Sequence, residues 1–337
     1  MPGPCILVTG GAGFIGSHTS KALSRAGYTP VVYDNLSNGH VEAVKWGPLI
    51  IGDVRDANHL AEAMREYSVA GVIHFAGLIE VGRSVSRPDL FWDHNLNGVA
   101  AVVSAMRRSG TARLVFSSTA AVYGAPAEMS RLREADRLAP INPYGDSKLA
   151  GERLIAASCA AFDLEAVALR YFNAAGADPE GDLGEAHYPE THLIPLAIEA
   201  TMGGAPLTVF GSDYPTPDGS CVRDYIHVAD LARAHVLALQ VGGLDAGFEA
   251  MNLGRGVGSS VREIIAAVTA ACGRHPAVVE GGRRAGDPPM LVADPAAAME
   301  RLGWSPQVRD LATIVDTAVA WRRGCGFGPA RQGPAAA

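Results

Sequence analysis

The first apolar segment and the first helical pattern of this chain are joined by a run with glycine at every third position, Thr9-Gly10-Gly11-Ala12-Gly13-Phe14-Ile15-Gly16. No other feature constrains the fold as much. Cys5–Thr9 reads as a buried strand and Phe14–Gly27 as a helix, so the glycines form the turn between them. Gly10 permits a tight turn, Gly13 lets a pyrophosphate approach backbone N–H groups, and Gly16 lets helix and strand pack closely. The helix N-terminus adds partial positive charge for an anion. A glycine-rich turn without a ligand is the alternative, and the strand before it and the helix after it weigh against that.

The same alternation continues through the first half. Further strands are expected at Pro30–Asp34, Leu49–Gly52, Gly71–Ala76, Arg113–Ser118 and Ala166–Tyr171. They are rich in Val, Ile and Leu without polar alternation, as strands buried on both faces should be. Helical patterns fall between them at Asp56–Tyr67, Asp89–Ser109 and Tyr144–Ala161. The fold expected is α/β, a doubly wound parallel (Rossmann-type) sheet with a smaller C-terminal α/β substrate lobe. With 337 residues, two domains are expected. They are a dinucleotide-binding domain over 1–176, with a return segment near 223–254, and a substrate lobe over 177–323. Asn173–His192 and Gly211–Ser220 read as loops, and helices follow at His227–Gln240, Ser260–Ala271 and Asp310–Arg323. Short strands are expected near Leu207–Gly211 and Glu249–Leu253, and the Gly/Pro/Ala-rich stretch 324–337 is expected to be disordered.

A net charge of −7 argues against general binding to nucleic acid or to acidic membranes. The five cysteines are scattered, with no Cys-x-x-Cys pair, so neither a zinc cage nor a disulfide framework is suggested. No stretch approaches the length of a membrane span. No metal is expected, and the chain is expected to be cytoplasmic.

Asp34 ends the second strand, 18 residues after Gly16, where an acid accepts the hydroxyls of an adenosine ribose. Its carboxylate would repel a 2′-phosphate and so favours NAD over NADP. A helix-capping aspartate is the plainer reading. Asp53, also at a strand end, is a second candidate, although Gly-Asp is common turn chemistry. Phe14, Ile15, Asn35, Asn38 and Val54 flank these positions and are counted with the cofactor contacts. Downstream, Tyr144 and Lys148 stand four apart on one helical face. A cation beside the phenol favours the phenolate, and the positive ring of NAD would add to that effect. The pair is therefore a candidate general base with its activator.

Phe75-Ala76-Gly77, Ser117-Ser118-Thr119, Tyr144-Gly145-Asp146-Ser147-Lys148 and Arg170-Tyr171-Phe172-Asn173 extend the pattern. With them the chain resembles the UDP-glucose (UDP-galactose) 4-epimerases of the extended short-chain dehydrogenase/reductase superfamily. The resemblance runs to about residue 323. Tyr214-Pro215-Thr216 and Arg223-Asp224-Tyr225 are its narrowest parts.

The resemblance implies that Tyr144 is the catalytic base and that Lys148 holds the nicotinamide ribose. It implies that Thr119 bonds the sugar 4-oxygen, with Ser118 as its backup. By the same similarity Phe75, Ala76, Gly77 and Asn95 line the cofactor and Phe172 lies beside the nicotinamide. Asn173, Phe210, Arg223, Arg284 and Asp287 match residues that hold UDP, and Leu193, Leu207, Thr208 and Tyr225 are counted with them. An arginine fork suits a diphosphate, and an aromatic ring can pack on uracil. The implied reaction is removal of hydrogen from sugar carbon 4, rotation of the 4-keto sugar, and return of hydrogen to the other face. A likeness to dimers paired through Asp89–Ser109 and Tyr144–Ala161 implies a homodimer.

Three positions depart from the pattern. Ile79 stands where many relatives carry lysine, and His192 where some place an asparagine near UDP. Leu291 stands where some have a tyrosine that restricts the sugar 2-substituent, so secondary activity on UDP-N-acetylglucosamine is expected. Competing readings are a sister epimerase acting on a UDP-N-acetylhexosamine, UDP-pentose or UDP-glucuronate, and a catalytically silent NAD-binding regulatory protein. A 4,6-dehydratase would need acids where Ala120 and Ala121 follow Thr119.

Overall fold

The computed structural model describes residues 3–126, 128–244, 247–284, 287–324 and 326–327. Most of the stretch 324–337, expected to be disordered, therefore lies outside the described residues. The strands, in chain order, are β1 (Cys5–Thr9), β2 (Thr29–Asp34), β3 (Leu49–Ile51), β4 (Gly71–His74), β5 (Arg113–Thr119), β6 (Glu165–Tyr171) and β7 (Asn173–Ala175). They continue with β8 (Leu207–Phe210), β9 (Val222–His227), β10 (Phe248–Leu253), β11 (Gly258–Ser260), β12 (Val278–Gly281) and β13 (Met290–Leu291). The helices are α1 (Phe14–Arg25), α2 (Ala57–Glu66), α3 (Val81–Ser86), α4 (Pro88–Phe91), α5 (Asn97–Ser109) and α6 (Pro143–Ala161). After them come α7 (Leu193–Thr201), α8 (Val228–Ala238), α9 (Val261–Cys272), α10 (Ala296–Leu302) and α11 (Leu311–Arg323).

Seven strands make one sheet in the order β10-β6-β5-β4-β1-β2-β3, and every pairing in it is parallel. The absence of polar alternation in these strands has a direct cause. Leu7, Val72, Leu114, Phe116, Ala166 and Ala168 point into one apolar cluster. Their chain neighbours Ile6, Val8, Ile73, Val115, Val167 and Leu169 point into a second cluster. Helices cover both faces, so neither face can be polar. Strand order reverses between β1 and β4, and the crevice outside the carboxyl ends of strands at such a point is where ligands bind in open parallel sheets.

β10 joins the sheet beside β6 in parallel register, and α8 packs on α1. The segment just before α8 belongs elsewhere: β9 pairs with β7, β11 and β13 in a separate small sheet. β8 pairs with β12. A third apolar cluster lies among α7, α9, α11 and these short strands.

One expectation is refined and one is corrected. The helix expected over Asp89–Ser109 runs without interruption but carries a π turn over Trp92–Leu96, between α4 and α5. That turn contains Asn95, whose side chain is buried and bonded to neighbouring segments, and such bulges commonly serve that purpose. The loop expected over Asn173–His192 begins with β7, whose backbone is paired with Tyr225–His227.

Candidate active site

A single cavity of about 1080 Å³ runs along the carboxyl ends of the sheet. One end is the glycine turn. Gly10 has φ +70°, and a Cβ there would lie 2.6 Å from the Ala76 amide nitrogen. A Cβ on Gly16 would lie 2.3 Å from the Gly10 carbonyl oxygen. These two glycines are obligatory for the turn itself. A Cβ on Gly13 would meet only the Gly10 carbonyl, at 3.3 Å, so its bareness matters chiefly toward a ligand. No side chain caps the start of α1, and its first turn holds no acid. These are the features an anionic pyrophosphate requires. Gly10→Ala is expected to lower the melting temperature and to abolish dinucleotide retention, both readable on purified protein.

Asp34 lines the same end. Its Oδ2 accepts from the Ala12 amide at 3.0 Å and its Oδ1 from the Leu36 amide at 2.8 Å. Burial raises its pKa, against those two bonds. The carboxylate thus fixes the glycine turn and still has free lone pairs toward the cavity. Asp53 is an ion-pair member as well: Arg55 bonds it at 2.7 and 2.9 Å and draws its pKa down. Gly10, Gly13, Phe14, Ile15, Gly16, Asn35, Asn38, Asp53, Val54, Phe75, Ala76, Gly77 and Phe172 all line the cavity.

Asn95 does not. Its Oδ1 accepts from the Leu78 amide at 2.8 Å, and its Nδ2 donates to the Leu78 carbonyl and to Ser147 Oγ. It holds the chain after β4 against α6, with Gly77 close behind its side chain. Asn95 is therefore a positioning residue.

Thr119, Tyr144 and Lys148 converge at the middle of the cavity. Lys148 is buried and donates from Nζ to the Ser117 carbonyl at 2.9 Å. Burial lowers its pKa to about 8. Burial also raises the pKa of the Tyr144 phenol, with only a bond to Thr119 acting against it. The activation expected from Lys148 is thus not what dominates in the protein alone. A phenolate at neutral pH requires a further positive charge, which is what a bound nicotinamide ring provides.

Strand periodicity corrects one assignment. On β5, residues two apart share a face, so Ser117 and Thr119 face the cavity together. Ser118 faces away and donates to the Glu152 carboxylate. The backup hydroxyl is therefore not Ser118. Ser117 and Tyr171, both cavity-lining and hydrogen-bonded to each other, went unread in the sequence. The alternation 117/119 was the signal.

The far end gathers Asn173, His192, Leu193, Leu207, Thr208, Phe210, Arg223, Tyr225, Arg284 and Asp287. Arg223 is held by the Val222 and Pro288 carbonyls, both at 2.9 Å, and lies 3.4 Å from Asp287. The Arg284 guanidinium stands 4.4 Å from the centre of the Phe210 ring. Asp224 is not the ion partner of Arg223; it is buried and accepts backbone N–H groups of Arg255, Gly256 and Ala293. Leu291 is not among the lining residues. With Leu138 and Phe172 it packs against Val122, Tyr123, Leu132 and Leu149, so of this cluster it is Phe172 that reaches the cavity.

His192 is bonded through Nδ1 to Glu185. Despite burial, that carboxylate raises the histidine pKa to about 9, while the two histidines bring Glu185 down to about 2. Glu185 and His187 also line the cavity and were not singled out in the sequence.

A family model described as the NAD dependent epimerase/dehydratase family matches residues 6–254. A UDP-glucose 4-epimerase of Rhizobium leguminosarum bv. trifolii is 49% identical over 95% of this chain and 98% of its own length. The crystal structure of a UDP-glucose 4-epimerase from Brucella ovis in complex with NAD is 50% identical, with a TM-score of 0.90 over 94% of this chain and 98% of that one. A third, from Bifidobacterium longum in complex with NAD+ and UDP, is 36% identical, with a TM-score of 0.90 over 95% of this chain and 98% of that one. Glycine turn, Tyr-Lys pair and full-length likeness agree, and the chain belongs to the NAD dependent epimerase/dehydratase family.

Proposed function

We propose that this protein is an NAD-dependent enzyme that interconverts UDP-glucose and UDP-galactose by inverting carbon 4 of the sugar. The observation that carries this reading is the continuity of one cavity. It joins a dinucleotide turn, a Thr-Tyr-Lys centre and an arginine-rich far end. Relatives that share the whole length of the chain bear the name of that activity.

The glycine turn, Asp34 and Lys148 are the residues that would hold NAD. When bound, it supplies the redox chemistry at carbon 4. Tyr144, as phenolate, takes the proton of the 4-hydroxyl, and Thr119 orients that oxygen. The proton returns from Tyr144 once the sugar has turned. Arg223, Arg284, Phe210 and Asp287 are all at the far end, so the grip falls on the nucleotide and leaves the hexose free to rotate.

Incubation of purified protein with UDP-galactose, without added reductant, is expected to yield UDP-glucose, and denaturation should release NAD. Folded protein with neither property would sink the reading. Arg223→Leu is expected to raise KM for UDP-glucose about ten- to a hundredfold, since hydrogen bonds to charged groups are worth ~1.5–3 kcal/mol. Bound NAD should be retained, and steady-state kinetics with cofactor quantitation checks both.

The reading includes a homodimer paired through the α4–α5 segment and α6. Light scattering should give twice the chain mass, and a monomer at assay concentrations would remove that part. It also places the enzyme in the cytoplasm. Among the described residues no helix is long and apolar enough to cross a membrane, and Cys5, Cys159, Cys221 and Cys272 are unpaired.

A further inference from the structure

Glu185, His187, Glu190 and His192 lie in one short segment before α7 and bring one donor atom each within 4.8 Å of all the others. From this geometry we propose a binding site for a divalent transition-metal ion, Zn²⁺ by its donor set, at the wall of the active cavity. The site does not depend on the identity of the sugar nucleotide.

Three observations support it. The first is spacing. His187 Nδ1 stands 3.1 Å from Glu185 Oε1, and His192 Nδ1 stands 3.9 Å from Glu190 Oε1. Ligands ~2.0–2.1 Å from a tetrahedral zinc ion lie roughly 3.4 Å from one another; the His187–Glu185 and His192–Glu190 separations bracket that edge, and an ion would replace the direct hydrogen bond between His192 Nδ1 and Glu185.

The second is unmet bonding capacity. Glu190 Oε2 is buried without a hydrogen-bond partner, and His187 Nδ1, although 3.1 Å from Glu185 Oε1, makes no aligned hydrogen bond. The Glu190 side chain is 5% exposed. Its Oε1 accepts from the backbone N–H groups of Thr191 at 2.7 Å and His192 at 2.9 Å, which fixes the carboxylate and leaves Oε2 over. The Arg322 guanidinium stands 4.0 Å from Oε2, too far for a hydrogen bond. Buried polar atoms are seldom left unpaired.

The third is composition. Two imidazoles with two carboxylates suit zinc, whereas magnesium and calcium take all-oxygen shells. The other acidic cluster among the described residues, Asp178, Glu180 and Asp182, has no histidine and is already occupied by the Lys21 ammonium at 2.5 to 3.0 Å. It does not share the features of the first. Glu185, His187 and His192 line the cavity, so the ion would cross-link the 185–192 segment to itself at the cavity wall.

The test uses full-length, tag-free protein treated with a chelator, then titrated with ZnCl₂ by calorimetry and with CoCl₂ by visible absorption. The expected result is one Zn²⁺ per chain and cobalt bands of tetrahedral intensity. His187→Gln and Glu190→Gln are each expected to weaken zinc roughly tenfold or more, at least what loss of an outer-shell partner costs. Asp182→Asn is expected to leave it unchanged. Circular dichroism of each variant establishes that it is folded. Absence of stoichiometric binding by the wild-type protein overturns the site, as does equal affinity in folded His187→Gln and Glu190→Gln, which would mean adventitious binding only.

Discussion

Replacing Tyr144 by phenylalanine is expected to lower the epimerisation rate by about 10²-fold or more, the usual consequence of losing a general base. The substitution removes one oxygen from a half-buried ring at the middle of the cavity. It leaves the glycine turn, Asp34 and Lys148 untouched, so NAD content and melting temperature should stay near those of the wild type. The pH dependence should follow the phenol. Because burial raises its pKa in the protein alone, the rate should climb as pH rises through the phenol pKa of the NAD-loaded enzyme. Lys148→Met removes the hydrogen bond to the Ser117 carbonyl and the cation placed at this centre. It should weaken NAD retention and displace the pH–rate profile to higher pH. Near-native turnover of a folded Tyr144→Phe protein would assign the base to another residue.

The largest loss of stability is expected from Arg170→Met. Arg170 and Glu152 are 5% and 4% exposed and pair through two parallel bonds, at 2.9 and 2.7 Å. Ser118 donates to the same carboxylate, and Tyr123 and the Glu134 carbonyl receive the other guanidinium hydrogens. This network joins β5, β6 and α6 directly behind the catalytic face. Removing the arginine leaves a carboxylate buried without its counter-charge, which costs roughly 3–5 kcal/mol. Urea denaturation should therefore show a large fall in midpoint with little change in slope. Arg170→Met with Glu152→Leu should recover part of the loss, because the stranded charge is gone. A single variant as stable as the wild type would mean that Glu152 takes up a proton or water at small cost.

The central sheet was legible because its strands are buried on both faces and its turns are made by glycines. A run such as Leu114-Val115-Phe116 has no solvent side to mark with polar residues. The short strands were harder to see. Asn173–Ala175 and Val222–His227 pair with each other across some fifty residues of chain, and no local pattern announces a contact at that distance. The π turn before α5 was hidden for a similar reason, since the inward turn of Asn95 answers to Leu78 and Ser147, on other segments. In the site, the glycines and the Tyr144–Lys148 pair were readable from spacing alone. Ser118 was misplaced because its neighbour supplies an equivalent hydroxyl, and only strand phase tells which faces the cavity. Of the Glu185-to-His192 cluster only His192 was picked out, because the four side chains meet through loop geometry and not through a helical or strand period.

The most direct test of the central claim follows the hydrogen on carbon 4. UDP-glucose carrying deuterium at that carbon is incubated in ordinary water with purified protein and no added cofactor, and the UDP-galactose formed is measured by mass spectrometry. Removal and return of that hydrogen within one closed site predicts product that retains the deuterium at carbon 4. Product that has exchanged it for solvent hydrogen, or no product from folded protein, would contradict the account.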